Sequence, residues 1–172
     1  GTPFVQSARR RICEFYRMTI IAAMTEDRVI GRDNKMPWKI KAESAHFFRT
    51  TRKGTLVMGR KTFESIGSKP LPYRPHVVVS RTMAPIEGVD ICPSLDQALS
   101  QARTYDREVF VMGGGQIYEQ ALPLADRMIL SYVKGDYPGD THFPEFDEAD
   151  WDIDHEDDQP EYRCVEYLRK TD

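Results

Sequence analysis

The sequence is poor in cysteine: its 172 residues include 3, at Cys13, Cys92 and Cys164, and none of them has C-x-x-C spacing. A disulfide framework or a cysteine-based zinc site needs more thiols at closer spacing, so neither is expected. The cysteine content predicts a reducing, cytoplasmic setting and no bound metal.

The sequence also lacks a long apolar run and an excess of positive charge. No stretch approaches the roughly 18 apolar residues of a membrane-spanning helix. The 24 Lys and Arg residues are outnumbered by 27 Asp and Glu residues, and they are scattered along the chain. Because binding to a phosphate backbone usually depends on a basic face, a nucleic-acid partner is not expected. These features favour a soluble monomer that binds a small molecule.

Residues 1–17 show no clear periodic pattern. The basic run Arg9–Arg11 is not followed by the apolar segment of a secretory signal. We interpret this segment as an upstream extension, a remnant of cloning or a mobile arm. The folded domain is expected to occupy residues 18–172.

From residue 18 onward, apolar runs with the length of strands alternate with segments of helical period, which is typical of an α/β fold. The last three strands follow one another without a helix, so antiparallel members are expected, with a hairpin loop at the acidic residues 156–161. We predict a single α/β domain with a central, mixed but mostly parallel twisted sheet of about eight strands, flanked by about four helices. The predicted strands cover 18–24, 55–59, 76–80, 89–92, 108–112, 128–134, 151–155 and 162–169, and the helices cover 42–53 and 60–66 and follow Ser94 and Gly115.

Three glycines, Gly113–Gly115, lie between an apolar strand and a predicted helix. Glycines let a ligand approach the backbone, and the amides of a helix N-terminus favour an anion such as a pyrophosphate. Tyr118 stands where the G-x-G-x-x-G fingerprint has its last Gly, so a true Rossmann motif is not expected. The alternative is a tight turn without a ligand.

A second candidate phosphate site begins at Gly59, between a strand and a helix, and continues with the polar residues Arg60–Thr62. Ser80 and Arg81 end the next predicted strand, so they are expected at the same carboxyl edge of the sheet, where α/β folds bind ligands. Together these groups favour the 2′-phosphate of NADPH. The alternative is that the cations are simply solvated.

Glu43 lies in the first turn of a predicted helix, and Phe47 lies one turn further along the same face. Ile30, Met36 and Trp38 precede it in a polar segment. A carboxylate among such groups could pair with adjacent N–H donors of a flat heterocycle that stacks between apolar side chains. The alternative is a carboxylate that only complements the helix dipole.

Prolines stiffen the segment 70–75, which carries Leu71 and Arg74. Arginine is suited to bidentate binding of a carboxylate. Taken alone, Arg74 is more typical of a solvated surface residue.

Read in order, these motifs resemble those of the dihydrofolate reductase family, in its bacterial form, over about residues 18–170. The longest is the run Met58–Gly67, MGRKTFESIG. The others are IAA at 21–23, DRVIG at 27–31, NKMPW at 34–38, PLP at 70–72, GGG at 113–115 followed by IY at 117–118, and GDTHFP at 139–144.

The resemblance implies an activity and a cofactor. The enzyme would reduce 7,8-dihydrofolate to 5,6,7,8-tetrahydrofolate with NADPH, by hydride transfer to pterin C6 and protonation at N5. The product would supply one-carbon metabolism and thymidylate synthesis. Antifolates such as trimethoprim or methotrexate would be inhibitors.

The resemblance also implies roles for individual residues of the substrate site. Glu43 stands where the family keeps its active-site carboxylate and would bind the 2-amino group and a ring nitrogen of the pterin. Trp38 would bond a water near this acid, Met36 would belong to a loop closing over the nicotinamide, and Thr141 would brace the carboxylate. Arg74 would hold the glutamate carboxylate of the substrate. The other residues of the substrate site would be Ile21, Ala23, Phe47, Ile66, Leu71, Met112 and Tyr118.

By the same resemblance, NADPH would lie along the glycine-rich strand ends, and the Gly113–Gly114 peptide would be cis. The residues implied for the cofactor are Ala23, Ile30, Gly59, Arg60, Lys61, Thr62, Ser80, Arg81, Gly113, Gly114, Gly115, Gln116, Ile117 and Tyr118.

Three positions depart from the family pattern. Glu43 stands where bacterial members usually have Asp, and its extra methylene adds roughly 1.3–1.5 Å. Lys41 replaces a common proline, and Tyr73 replaces a common glycine. Two alternatives share the fold: a reductase acting on a ribosylated pyrimidine, and a catalytically silent nucleotide-binding protein. The combination of Trp38 and Glu43 argues against both.

Overall fold

The computed structural model describes residues 18–32 and 36–171, so the interpretation of residues 1–17 lies outside the described chain. In chain order the strands are β1 (Thr19–Thr25), β2 (Val29–Gly31), β3 (Thr55–Gly59), β4 (His76–Val79), β5 (Val89–Cys92), β6 (Val109–Val111), β7 (Arg127–Val133), β8 (Thr141–His142), β9 (Trp151–Asp158) and β10 (Tyr162–Arg169). The helices are α1 (Lys41–Thr51), α2 (Arg60–Ser65), α3 (Leu95–Arg103) and α4 (Gly115–Ala121), with 3-10 turns at Leu122–Leu124 and Glu148–Asp150.

Eight of the strands form one sheet in the order β5-β4-β3-β6-β1-β7-β10-β9. The first six are parallel to their neighbours, and β10 pairs antiparallel with both β7 and β9. The longest parallel pairing joins β1 to β7, from Thr19 opposite Arg127 to Thr25 opposite Val133. The prediction of a mixed, mostly parallel sheet with antiparallel members near its end is confirmed.

The two faces of the sheet carry two separate apolar clusters, because successive side chains of a strand point to opposite sides. On β1, Ile20 and Met24 belong to the first cluster and Ile21 belongs to the second. Helices α3 and α4 cover the first face, for example through Leu99, while Phe63 of α2 is fully buried on the second. Burying a side chain of this size contributes about 1.5–3 kcal/mol. The second face is the one that carries the candidate site.

The N-terminus of α3 is as predicted. The Ser94 Oγ accepts a hydrogen bond from the Gln97 backbone N–H at 3.2 Å, which satisfies one of the free amides of the first turn. Among the described residues, no helix has the length and apolar character needed to cross a membrane.

The segment after β1 differs from the predicted loop at 25–41, since it contains β2, which pairs antiparallel with β8. The Phe143 N–H donates to the Arg28 carbonyl at 2.7 Å, and the Arg28 Nη1 donates back to the Phe143 carbonyl at 2.6 Å. Arg28 and Phe143 are 115 residues apart in the sequence. Because β2 has three residues and β8 has two, neither carries a local strand pattern.

The acidic hairpin loop predicted at 156–161 is wrong in its first half, because β9 runs through Asp158. This strand is at the edge of the sheet, and its charged side chains are mostly exposed. Glu156 pairs with Arg163 at 2.9 Å, and Asp158 pairs with Lys134 at 2.6 Å. Charged side chains on an edge strand discourage pairing with another chain, which accounts for acidic residues in a strand.

Candidate functional site

Glu43 is the one acidic residue in the first turn of α1. The residue is only 8% exposed, and its carboxylate is close enough to Tyr118, Tyr162 and Cys164 to help raise their pKa values. Among the described residues, no cation forms an ion pair with its carboxylate. Burial alone raises the pKa of the Glu43 carboxyl from 4.5 to about 7. The site therefore contains a buried acid that lacks a compensating charge.

This pKa predicts how stability depends on pH in the ligand-free protein. A carboxyl whose pKa is higher in the folded state than in the unfolded state favours folding while it is protonated, and this contribution is lost as the pH rises from about 4.5 to about 7. Above pH 7 the difference amounts to about 3 kcal/mol. Glu43→Gln is therefore expected to be more stable than the native protein above pH 7 and similar to it below pH 4.5.

Urea denaturation of both proteins across this range measures the effect. A constant difference between them at all pH values would contradict the burial of an uncompensated charge.

The second apolar cluster, against which Phe47 of α1 packs, is the candidate binding site, and we call it the apolar cleft. Trp38 is buried at 4% exposure, and its ring lies edge-on to Tyr137 at 5.8 Å between centroids. The Trp38 Nε1 donates to no described residue and remains available to a ligand or a water. Among the described residues, nine apolar side chains pack against this cluster while remaining partly exposed: the predicted Ala23, Phe47, Ile66, Leu71 and Met112, and also Met83, Ile86, Val89 and Tyr137. Partly exposed apolar groups around a buried cluster are what a binding cleft presents.

The structure thus brings Trp38 into one apolar cluster with Phe47, Ile66 and Leu71, which were predicted to surround a flat heterocycle, and Glu43 lies on the helix that carries Phe47. Met36, which was predicted to belong to the closing loop, is 55% exposed. The closure of its loop over a nicotinamide stays a prediction.

The prediction that Thr141 braces Glu43 is wrong. Thr141 is exposed in β8, and its Oγ1 donates to the Asp140 carboxylate at 3.0 Å. Its methyl group lies instead beside Gly115, at 3.2 Å from where a Cβ would be. The motif GDTHFP therefore serves the β2–β8 pairing and the glycine turn.

Ser131 is the polar residue that the sequence interpretation missed. It is 3% exposed on β7, opposite Ala23 of β1 and Cys164 of β10. Its side chain hydrogen-bonds to Cys164, where burial raises the pKa of the thiol to about 11 and Glu43 is among the carboxylates that raise it further. Ser131 and Glu43 thus both lie near Cys164. A hydroxyl inside the apolar run MILSYV, at 128–133, was the available sequence signal.

Arg74 lies half-buried beside α1 rather than free in solvent. Its Nη1 donates to the Thr51 Oγ1 at 2.8 Å and to the Phe48 carbonyl at 3.2 Å, and its Nε donates to the Pro72 carbonyl at 2.9 Å. Burial, followed by the nearby Arg52, lowers the pKa of Arg74 from its ordinary value. Among the described residues, no group accepts a hydrogen bond from Nη2, so one edge of the guanidinium remains available.

The ends of β3 and β6 meet at the glycine turn. The Gly59 N–H donates to the Gly113 carbonyl at 2.8 Å, and the peptide bond between Gly113 and Gly114 is cis, as the resemblance implied. The Tyr118 ring packs against Gly113, and its hydroxyl donates to the Ile21 carbonyl at 2.9 Å. This contact connects the turn to the strand that lines the apolar cleft.

Cations flank the same edge of the sheet. Arg60 donates from Nη1 to the Thr82 Oγ1 at 3.2 Å, which links α2 to the loop after β4. Ser80 begins that loop and accepts hydrogen bonds from the Thr82 and Met83 amides at 3.3 and 3.0 Å. Lys61 and Arg81 are exposed beside it. The predicted phosphate ligands therefore lie on two adjacent loops, with Ser80 shaping one of them.

The remaining residues predicted for a cofactor surround the glycine turn. Thr62 Oγ1 lies 3.5 Å from the position of a Cβ on Gly114, so a larger residue there would reach the Thr62 hydroxyl. Ile117 is buried in the first cluster, Ile30 packs against that cluster, and Gln116 is exposed.

Comparison with known proteins agrees with this geometry. The family model described as dihydrofolate reductase matches residues 17–169. The chain is 47% identical over 135 residues to dihydrofolate reductase type 3 of Salmonella typhimurium, covering 78% of this chain and 82% of that one. It is 40% identical over 151 residues to the dihydrofolate reductase of Haemophilus influenzae, covering 85% and 93%. A solved structure of dihydrofolate reductase from Enterococcus faecalis, complexed with NADP(H) and RAB-propyl, superimposes with a TM-score of 0.79 at 29% identity and covers 90% and 96%.

Proposed function

Because the chain belongs to the dihydrofolate reductase family, we propose that Glu43 binds the pterin ring of 7,8-dihydrofolate in the apolar cleft. The protein catalyses the NADPH-dependent reduction of dihydrofolate to tetrahydrofolate, and is an oxidoreductase of one-carbon metabolism. The observation that carries the assignment of Glu43 is its burial, without a described cationic partner, at the wall of the cleft.

The pterin can supply hydrogen-bond donors to the Glu43 carboxylate, which has no described cationic partner. Its 2-amino group and a ring nitrogen offer two adjacent N–H donors, which match the two oxygens of Glu43. Hydrogen bonds to the charged form favour ionisation, so substrate binding should lower the pKa of Glu43 from its value of about 7 in the free protein. The resulting buried anion would stabilise the pterin when it is protonated at N5.

The surrounding side chains position the ring and exclude water. Phe47 and Ile66 would contact its two faces, and Leu71 would contact the benzoyl group. The free Nε1 of Trp38 would donate to a water that approaches the acid. We propose that Ser131, instead of Thr141, supplies the hydroxyl beside Glu43. Ile21 and Met112 would complete the cleft through their backbone carbonyls.

The glycine turn and the adjacent cations fit NADPH, which when bound supplies the hydride that reduces pterin C6. Gly113 and Gly114 present backbone without side chains at the carboxyl edge of the sheet. Arg60, Lys61 and Arg81 are exposed there and suit a 2′-phosphate, which NADH lacks. We expect Ala23, Thr62 and the first turn of α4 to contact the same ligand.

The Arg74 guanidinium would bind a carboxylate of the substrate's glutamate through its available edge. Arg74→Lys keeps the charge and loses the planar fork, so KM for dihydrofolate should rise about tenfold while kcat changes less than about twofold. Steady-state kinetics measure both constants.

Dihydropteroate, which lacks the glutamate, is the matched control. Its KM should be equal in the native protein and in Arg74→Lys. An equal rise for both substrates would show that the variant disturbs the cleft itself and would remove Arg74 from this role.

Loss of NADPH absorbance in the near ultraviolet tests the function directly. Rapid loss that requires dihydrofolate, with much slower loss of NADH, is expected. Binding of NADPH without folate-dependent oxidation would favour a silent nucleotide-binding protein and overturn the assignment.

We propose further that the enzyme is a cytoplasmic monomer that antifolates such as trimethoprim or methotrexate inhibit. Cys92 and Cys164 are free thiols, which suits a reducing compartment. Diaminopyrimidine rings carry adjacent N–H donors of the kind that Glu43 would accept.

A further inference from the structure

A second cavity lies outside the cleft. It has a volume of about 390 Å³ and is lined by Arg52, Lys53, Tyr73 and Arg107. The Arg52 guanidinium lies over the Tyr73 ring at 5.1 Å from its centroid, and the Arg107 Nη1 donates to the Tyr73 carbonyl at 3.0 Å. We call this group of four residues the basic cavity.

The cations of the basic cavity lack acidic partners. Among the described residues, no carboxylate oxygen lies within the 4.0 Å of a salt bridge from Arg52, Lys53 or Arg107. Six cations elsewhere do pair with carboxylates, whereas others among the described residues, such as Lys39 and Arg49, do not. The basic cavity differs from these because three such cations line one concave surface. Three uncompensated positive charges around one concave surface create a local potential that attracts anions.

The basic cavity adjoins the proposed glutamate site along two chain segments. Arg52 directly follows Thr51, whose hydroxyl accepts a hydrogen bond from Arg74 at 2.8 Å. Tyr73 directly precedes Arg74, and Arg52 is close enough to help lower the pKa of Arg74. Arg52 and Tyr73 thus connect the basic cavity to the two segments that hold Arg74.

Tyr73 lines the basic cavity and contacts both of its arginines. This residue is 74% exposed and has a φ of 72°, which turns the chain so that its carbonyl accepts from Arg107 while its ring meets Arg52. A glycine there, the common residue of the resembled family, would provide neither the ring nor its contact with Arg52. The basic cavity thus depends on a departure from the family pattern.

We propose that the basic cavity is a subsite for additional γ-linked glutamates on the substrate. This inference rests on the proposed function. The terminal glutamate of dihydrofolate has two carboxylates, of which Arg74 would bind one, and the other can be extended through an amide. Each added glutamate brings one carboxylate, which matches cations that have no acid nearby. The methylenes of the extension would pack on the Tyr73 ring and on the aliphatic part of Lys53.

Kinetics with two substrates test the subsite. The probes are dihydrofolate and dihydrofolate that carries two further γ-linked glutamates, at low ionic strength. The native protein is expected to show a KM about fivefold lower for the longer substrate, with equal kcat, since each exposed ion pair contributes modestly. High salt should abolish the preference because such pairs are screened.

The variant Arg52→Gln/Lys53→Gln/Arg107→Gln should retain the native KM for dihydrofolate and lose the preference for the longer substrate. Lys170→Gln removes a charge directly after β10, which lies toward the opposite end of the sheet from β3 and β4, and should retain the preference. If the triple variant folds poorly, the single variants Arg52→Gln and Arg107→Gln, each expected to lose part of the preference, decide the question.

Equal KM values for the two substrates in the native protein would overturn the subsite, as would a preference that survives in the variants. These results differ from a failure of the proposed function, in which neither substrate would support oxidation of NADPH.

Discussion

In Glu43→Gln, turnover of dihydrofolate at pH 7 is expected to fall about 10²–10³-fold, because the amide cannot stabilise a protonated pterin as a buried carboxylate does. The loss corresponds to about 2–4 kcal/mol in the barrier. The affinity for NADPH should be unchanged, since the proposed cofactor residues lie at the glycine turn and the adjacent loops. Stopped-flow hydride transfer and a fluorescence titration with NADPH measure the two quantities separately.

The pH dependence of Glu43→Gln distinguishes electrostatics from misfolding. Its activity should recover partly as the pH falls, because more substrate then arrives already protonated at N5. Glu43→Asp keeps the charge and shortens the side chain by roughly 1.3–1.5 Å, so it should retain more activity than the amide. Native turnover in Glu43→Gln at pH 7 would remove Glu43 from the mechanism.

Gly113→Ala is expected to destabilise the protein by about 2–6 kcal/mol. Gly113 has a φ of 110°, which alanine adopts only with strain of about 1–3 kcal/mol. The new Cβ would lie 3.0 Å from the Tyr118 ring, which would have to shift by a few tenths of an ångström. Disturbing the buried hydrogen bond from Tyr118 to the Ile21 carbonyl would cost about a further 1–3 kcal/mol. Thermal unfolding measures the total.

Gly67→Ala is the matched control. Gly67 also has a positive φ, 96°, but nothing lies within 4 Å of the position of its Cβ. Strain alone should cost about 1 kcal/mol there, and NADPH affinity should remain native. In Gly113→Ala, NADPH affinity should also fall, because Gly113 forms the turn beside the cofactor. Equal stability of the two variants would contradict the close packing of Tyr118 on the turn.

The parallel core of the sheet was predictable because its strands carry continuous apolar runs. Thr19–Thr25 and Thr55–Gly59 read as buried strands, and the structure buries all but one residue of each. The β2–β8 pair was missed because its pairing depends on contacts between distant segments rather than on a local pattern. The end of β9 was missed because Glu156–Asp158 are charged residues on an edge strand, where exposure and strand structure coexist.

The sequence predicted most residues of the cleft, but it assigned the hydroxyl beside Glu43 to Thr141 instead of the proposed Ser131. Glu43, Trp38 and Phe47 are close in sequence, so a single loop and helix bring them together. Only the strand pairing distinguishes the two candidates, because the register of the sheet places Ser131 opposite Ala23 and Cys164. The basic cavity was also unpredictable, since its residues come from three separate segments.

A carbon-13 NMR titration of the Glu43 carboxyl, identified by the resonance that Glu43→Gln lacks, tests the central claim most directly. In the free protein this carboxyl should titrate with a pKa of about 7, and with saturating folate its pKa should fall, because the ring N–H groups bond the anion. A carboxyl that titrates near 4.5 in the free protein, or whose pKa is the same with and without folate, would contradict the claim that Glu43 is the buried acid that binds the pterin.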